Sequence, residues 1–116
     1  MRRAAVRNGG AFGMDIGVNE DIKQFARLVN EQYNPKAIYL YGSQVSGTAH
    51  GRSDIDIAVI FTSLGDRSRL DVISDLLSIA AEFEADIEPN VLVDDGEYSR
   101  FSFLAEVMET GRLVEV

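Results

Sequence analysis

Between Asp54 and Phe61 two carboxylates alternate with isoleucines, in the order Asp-Ile-Asp-Ile-Ala-Val-Ile-Phe. Successive side chains of an extended chain point to opposite faces, so Ile55, Ile57 and Val59 share one face while Asp54, Asp56 and Ala58 share the other. The segment reads as a strand with a core on one side and, on the other, two anions roughly 6.5–7 Å apart at the backbone. Two carboxylates so placed reach a pair of divalent ions ~3.5–4 Å apart, the arrangement of two-metal phosphoryl-transfer sites. Ligands that are all oxygen suit magnesium or manganese rather than zinc. Taken alone, an Asp-x-Asp strand is more often a solvated strand face. Placing two anions beside core residues is unfavourable unless something positive offsets them.

Upstream, Ala37-Ile38-Tyr39-Leu40-Tyr41 forms an apolar and aromatic run that stops at Gly42-Ser43, with ten residues between Ser43 and Asp54. A glycine at the end of a strand lets backbone approach a ligand closely, and Ser43 can cap a short turn whose free N–H groups face an anion. The pair therefore reads as a phosphate cradle opposite a metal-binding carboxylate pair. Gln44 to Ser53 is turn-rich, with Gly47, His50 and Gly51.

The rest of the chain supplies cover for a small sheet. Apolar residues Ile22, Phe25, Ala26 and Val29 recur at helical spacing between Val18 and Tyr33, with Leu28 at the edge of the stripe. Asn19 reads as the N-cap, and Pro35 ends the helix because it disfavours α geometry at Asn34. A second helix is expected over 66–84, with Leu70, Ile73, Leu76, Leu77, Ala80, Ala81 and Phe83 as its apolar stripe. Asp86 to Val93 reads as a strand that Pro89 confines to a sheet edge. A last helix is expected from Tyr98 to Thr110, carrying Phe101, Leu104, Ala105 and Met108 and capped by Gly111. A short closing strand is expected over 113–116. The order α-β-turn-β-α-β-α-β indicates one α/β or α+β domain over 14–116. Residues 1–13 lack an amphipathic period, contain three glycines and read as a flexible tail.

Charge narrows the partners. The 116 residues carry 19 acids against 11 bases, a net charge of −8, and no cysteine. Three of the bases (Arg2, Arg3, Arg7) precede Met14 and no acid does, so the remaining domain is more acidic still. A surface of that sign repels a phosphate backbone, which argues against a long nucleic-acid acceptor and leaves a basic protein surface open. Phosphates would have to be met through cations. The lack of cysteine excludes disulfides, thiolate zinc sites and a cysteine nucleophile. No apolar run is long enough to span a membrane and the N-terminus lacks an apolar signal region, so the cytoplasm is the expected compartment.

The segment GSQVSGTAHGRSDIDIAVI, together with the strand before it, resembles the signature of the minimal nucleotidyltransferases of the DNA polymerase β-like superfamily. The match is close over 36–61 and looser over 86–93 and through Glu109-Thr110-Gly111. The resemblance implies a mixed sheet with helices packed on it, Mg²⁺- or Mn²⁺-dependent binding of ATP or another NTP, and transfer of a nucleoside monophosphate to a hydroxyl. It implies that Gly42 and Ser43 hold the triphosphate, with Arg52 and Ser53 beside them, and that Asp54 and Asp56 hold the metals. The family places basic residues earlier, where Gln44 and Ser46 stand here, so Arg52 is either a phosphate grip or a solvated loop residue. His50 and the strand tyrosines Tyr39 and Tyr41 are accounted for by loop exposure and by packing.

The resemblance also implies a third carboxylate that ligates one metal and activates the attacking hydroxyl. Asp86, Glu88 and Asn90 share a strand face by the period of two. Asp86-Ile87-Glu88-Pro89 matches the Asp-x-x-Pro of short relatives and favours Asp86, with Glu88 as the alternative. If the family position falls on Asn90, an amide cannot act as base and the protein would bind a nucleotide without transferring it. Small free-standing members of this superfamily pair with a separate all-helical protein in toxin–antitoxin systems. The expected function is therefore adenylyl transfer onto a partner protein's hydroxyl. The alternative is an inactive nucleotide-binding or partner-masking module of the same fold, and either form could self-associate.

Overall fold

The structure is a computed structural model that describes residues 16–42 and 55–116, with side chains from Asn19 onward. Ser43, Arg52, Ser53, Asp54, His50 and the basic N-terminal segment lie outside the described residues. The element order is α1 (Ile16–Tyr33), β1 (Ala37–Tyr41), β2 (Ile55–Phe61), α2 (Arg69–Ala80), β3 (Ile87–Val93), α3 (Phe103–Thr110) and β4 (Arg112–Leu113). The sheet runs β3-β2-β1-β4, with β1 antiparallel to both β2 and β4 and β2 parallel to β3. It is a mixed sheet with helices on both faces, as the α+β expectation requires.

The main core lies on one face, between the sheet and the pair α1 and α2. Ile38, Leu40, Ile55, Ile57, Val59, Ile87 and Val91 point into it, met by Ile22, Phe25, Ala26 and Val29 from α1 and by Val72, Leu76, Ile79 and Ala80 from α2. Phe25 is fully buried there, which contributes on the order of 2 kcal/mol relative to an exposed ring. The period-two pattern of β2 is what makes this face continuous. On the opposite face α3 packs against β1, and Leu104 and Val107 are buried there.

Several helix boundaries differ from the sequence reading. Helix α1 starts at Ile16, so Asn19 sits within its first turn rather than at the cap. It ends as expected: Asn34 takes a left-handed φ of 50° before Pro35. Helix α2 spans only 69–80, because Ser68 accepts a hydrogen bond from the Asp71 N–H and caps it. The chain then turns through 81–85, where Asp21 of α1 accepts from the Ala85 N–H at 3.1 Å and fixes the approach to β3. Its buried stripe is Val72, Leu76, Ile79 and Ala80. Leu70 is 76% exposed and Leu77 half exposed. With apolar residues on most of its faces, the sequence of α2 does not identify which face is inward; packing against β3 does.

Helix α3 is likewise shorter, beginning after the Ser102 cap, which leaves Phe101 outside it and 89% exposed. Gly111 does follow α3, but at φ −79° and not in a left-handed cap. The reason for glycine there is close approach: an added Cβ would stand 2.5 Å from the Val107 carbonyl and 3.0 Å from that of Leu40. The closing strand is two residues, Arg112–Leu113.

Candidate functional site

Strand register assembles the site. Tyr41 on β1 faces Asp56 on β2, and Asp56 faces Glu88 on β3. One step along, Tyr39, Ala58 and Asn90 form the next row. Both rows belong to the sheet face opposite the main core, since Leu40, Ile57 and Pro89 lie between them in sequence and alternate to the other side. Asp56 is partly buried, while Asp86 and Glu88 are exposed. Asp86 lies just before β3, and its carbonyl accepts from the Ile55 N–H at 2.7 Å, which holds the mouths of β2 and β3 together.

Gly42 closes one side of the acidic row. Its φ is +83°, a conformation that side chains rarely adopt, and a Cβ built on it would lie 2.6 Å from Asp56 Oδ2. The carboxylate therefore occupies the space that any other residue at 42 would fill. Glycine serves here both the turn and the close approach. Asp56 and Glu88 offer adjacent oxygen donors only, a set that fits Mg²⁺ or Mn²⁺. Among the described residues no cluster of three potential metal ligands is assembled; Asp54, the expected partner of Asp56, lies outside them.

A polar line crosses the same face. The Tyr41 hydroxyl accepts a hydrogen bond from Asn90 Nδ2 at 3.4 Å. Tyr41 is on β1 and Asn90 on β3, so the phenol ring has to cross β2, a span of roughly 10 Å for two strand spacings. Ala58, buried between them in register, is the small residue that permits this. Asn90 Oδ1 in turn accepts from Arg69 Nη2 at 3.1 Å, and the Arg69 guanidinium also donates to the Val91 carbonyl through Nε at 3.1 Å and Nη2 at 2.8 Å. Burial lifts the Tyr41 phenol above its ordinary pKa of 10.0, the charges of Asp56 and Glu88 lift it further, and the Asn90 hydrogen bond works in the other direction. On its far side the Tyr41 ring meets Phe103 edge-on, with centroids 5.4 Å apart.

The profile of the family described as polymerase beta, nucleotidyltransferase matches residues 20–114. The chain belongs to that family. Among solved structures, a candidate nucleotidyltransferase from Sulfolobus solfataricus superposes with a TM-score of 0.62 at 16% identity, covering 97% of this chain and 87% of that one. A chain of a toxin–antitoxin structure with AMP-PNP superposes with a TM-score of 0.51 at 26% identity, covering 80% of this chain and 72% of the other. Comparison with curated proteins yields no match. The nucleotidyltransferase fold that the family resemblance implies is thus the fold observed. Of the expected site residues of this nucleotidyltransferase domain, Gly42, Asp56 and Glu88 come together and Asp86 stands at the edge of the group.

Period two grouped Asp86, Glu88 and Asn90 within their own strand, but only the strand register brings Tyr41 and Asn90 to the face of Asp56, and the sequence reading assigned Tyr41 to packing. Nothing local to Arg69 signalled its part. Its role depends on α2 docking beside β3, which no nearby residue encodes.

A cleft of about 240 Å³ lined by Asn19, Ile22, Lys23, Leu40, Leu113, Val114 and Glu115 lies on the other side of the sheet. It shares no residue with the acidic row. Among the described residues no helix is long and apolar enough to cross a membrane.

Proposed function

We propose that this domain catalyses Mg²⁺-dependent transfer of a nucleoside monophosphate, AMP from ATP, to a hydroxyl group on a partner protein. The observation that carries this reading is the juxtaposition of Gly42, Asp56 and Glu88 at the end of the sheet where the family motif begins. The toxin–antitoxin likeness supports an adenine nucleotide and a protein partner, since that structure was solved with AMP-PNP.

In this scheme Gly42, Ser43, Arg52 and Ser53 receive the triphosphate, and Asp54 and Asp56 hold the metal ions together with a third carboxylate. Bound Mg²⁺ would supply neutralisation of the charge that develops on the phosphoryl oxygens. The acceptor oxygen attacks the α-phosphorus and the bond from that phosphorus to the β-phosphate oxygen breaks. Pyrophosphate leaves, and the hydroxyl proton passes to the third carboxylate. Direct register with Asp56 supports Glu88 in that role. Asp86, two residues before Glu88 and just ahead of β3, is the other candidate.

The rival reading is a nucleotide-binding or partner-masking module without turnover. Incubation with Mg²⁺, α-labelled ATP and a small helical partner protein separates the two. Covalent label on the partner, lost in Asp56→Asn, supports transfer. A folded protein that binds Mn²⁺·AMP-PNP and labels nothing supports the module.

A further inference from the structure

Hydrogen-bond polarity on the face of the sheet that carries Asp56 is decided by a residue outside the sheet. Arg69 has donors only, so the Asn90 atom facing it must be the carbonyl Oδ1. The Asn90 amide group then faces Tyr41 and donates to its oxygen. A hydroxyl that already accepts from an NH₂ group cannot direct its own hydrogen back at that group. The Tyr41 hydrogen is left for another acceptor, and the residues that share its row are Asp56 and Glu88.

We propose that Arg69, acting through Asn90, positions the Tyr41 hydroxyl as a hydrogen-bond donor to the anionic ligand held at the Asp56–Glu88 row. Tyr41 is placed to touch that ligand; Arg69 and Asn90 are positioning residues. Three features of the fold serve this line. Arg69 is the first residue of α2 and is anchored by two bonds to the Val91 carbonyl, so its guanidinium is not free to swing away. Ala58 clears the path of the ring over β2. Phe103 holds the other side of the ring edge-on. The device supplies one donor without adding a cation to a row that must attract one. The inference rests on the proposed nucleotide and metal site.

A double-mutant cycle tests it, with Mn²⁺ and Mn²⁺·AMP-PNP binding followed by electron paramagnetic resonance and folding followed by thermal melts. Tyr41→Phe is expected to weaken Mn²⁺·AMP-PNP binding about three- to tenfold, the range for one lost hydrogen bond. Asn90→Ala is expected to produce a similar loss in the wild-type background and none in the Tyr41→Phe background, because Asn90 acts only through the Tyr41 hydroxyl. Arg69→Met provides the same comparison should Asn90→Ala fail to fold. A merely structural role would lower the melting temperature and leave the non-additivity absent. Wild-type affinity in Tyr41→Phe, or a full further loss from Asn90→Ala or Arg69→Met in that background, overturns the line and leaves the proposed site standing. Absence of Mn²⁺ and Mn²⁺·AMP-PNP binding by the wild-type protein overturns the proposed site and the line with it.

Discussion

Asp56 Oδ2 lies only 2.6 Å from the point where the Cβ of any residue but glycine at position 42 would stand. The two residues come from antiparallel strands joined by the motif loop, so each depends on the other's register. Gly42→Ala is expected to destabilise the domain by about 1–3 kcal/mol, from the positive φ alone, with the collision in addition. Thermal melts of Gly42→Ala, Asp56→Ala and the double variant check this. The double variant should recover the collision component and not the φ component. Strict additivity would show that the contact carries no energy.

The third carboxylate is separable by substitution. Glu88→Gln is expected to reduce transfer of label at least a hundredfold, because it removes the acid in register with Asp56. Asp86→Asn is expected to have a smaller effect. Single-turnover labelling under saturating Mg²⁺·ATP measures both, and the reverse ranking would assign the role to Asp86.

Ala58 should tolerate no enlargement. It is fully buried beneath the path of the Tyr41 ring, so Ala58→Leu is expected to cost about 1–3 kcal/mol by overpacking. Chemical denaturation measures that loss. Manganese–nucleotide affinity should fall in the same variant, since the ring is displaced from Asn90.

Stability should depend on pH through the far end of the sheet. Lys36 Nζ and Asp94 Oδ2 are 2.7 Å apart, with Asp94 only 4% exposed. The Lys36 hydrogen bond, followed by that of the Gly96 N–H, holds the Asp94 carboxyl below its ordinary 3.8. The same bond holds Lys36 above its ordinary 10.5. A depressed acid contributes stability that is present above 3.8 and is lost as pH falls through its folded value; a raised lysine contributes stability present below 10.5 and lost as pH rises through its folded value. The melting-temperature gap between wild type and Lys36→Met should therefore be flat across neutral pH and close below pH 3.8 and above pH 10.5. A gap that persists at both extremes would show that the pair is not its source.

Much of the site was legible in the chain because it is local. Gly42 and Asp56 belong to one motif whose residue types and spacing carry the family resemblance, and the alternation along β2 states which side Asp56 takes. The period-two face of β3 likewise named Asp86, Glu88 and Asn90 as a set. The choice among them was not legible, since it depends on the parallel register of β2 with β3, made by strands 32 residues apart at Asp56 and Glu88. The inward face of α2 was misread for a related reason: helical periodicity is uninformative where apolar residues surround the axis, and only docking on β3 buries Val72 and Ile79 while leaving Leu70 in water. Sequence alone determined the family motif, the strand faces and the acidic character of the domain, because these follow from residue type and a period of two. Tertiary structure decided that Glu88 stands beside Asp56, and that Arg69 reaches Asn90 while Asn90 reaches Tyr41. Those contacts are non-local and exist only once three strands and a helix have been brought together.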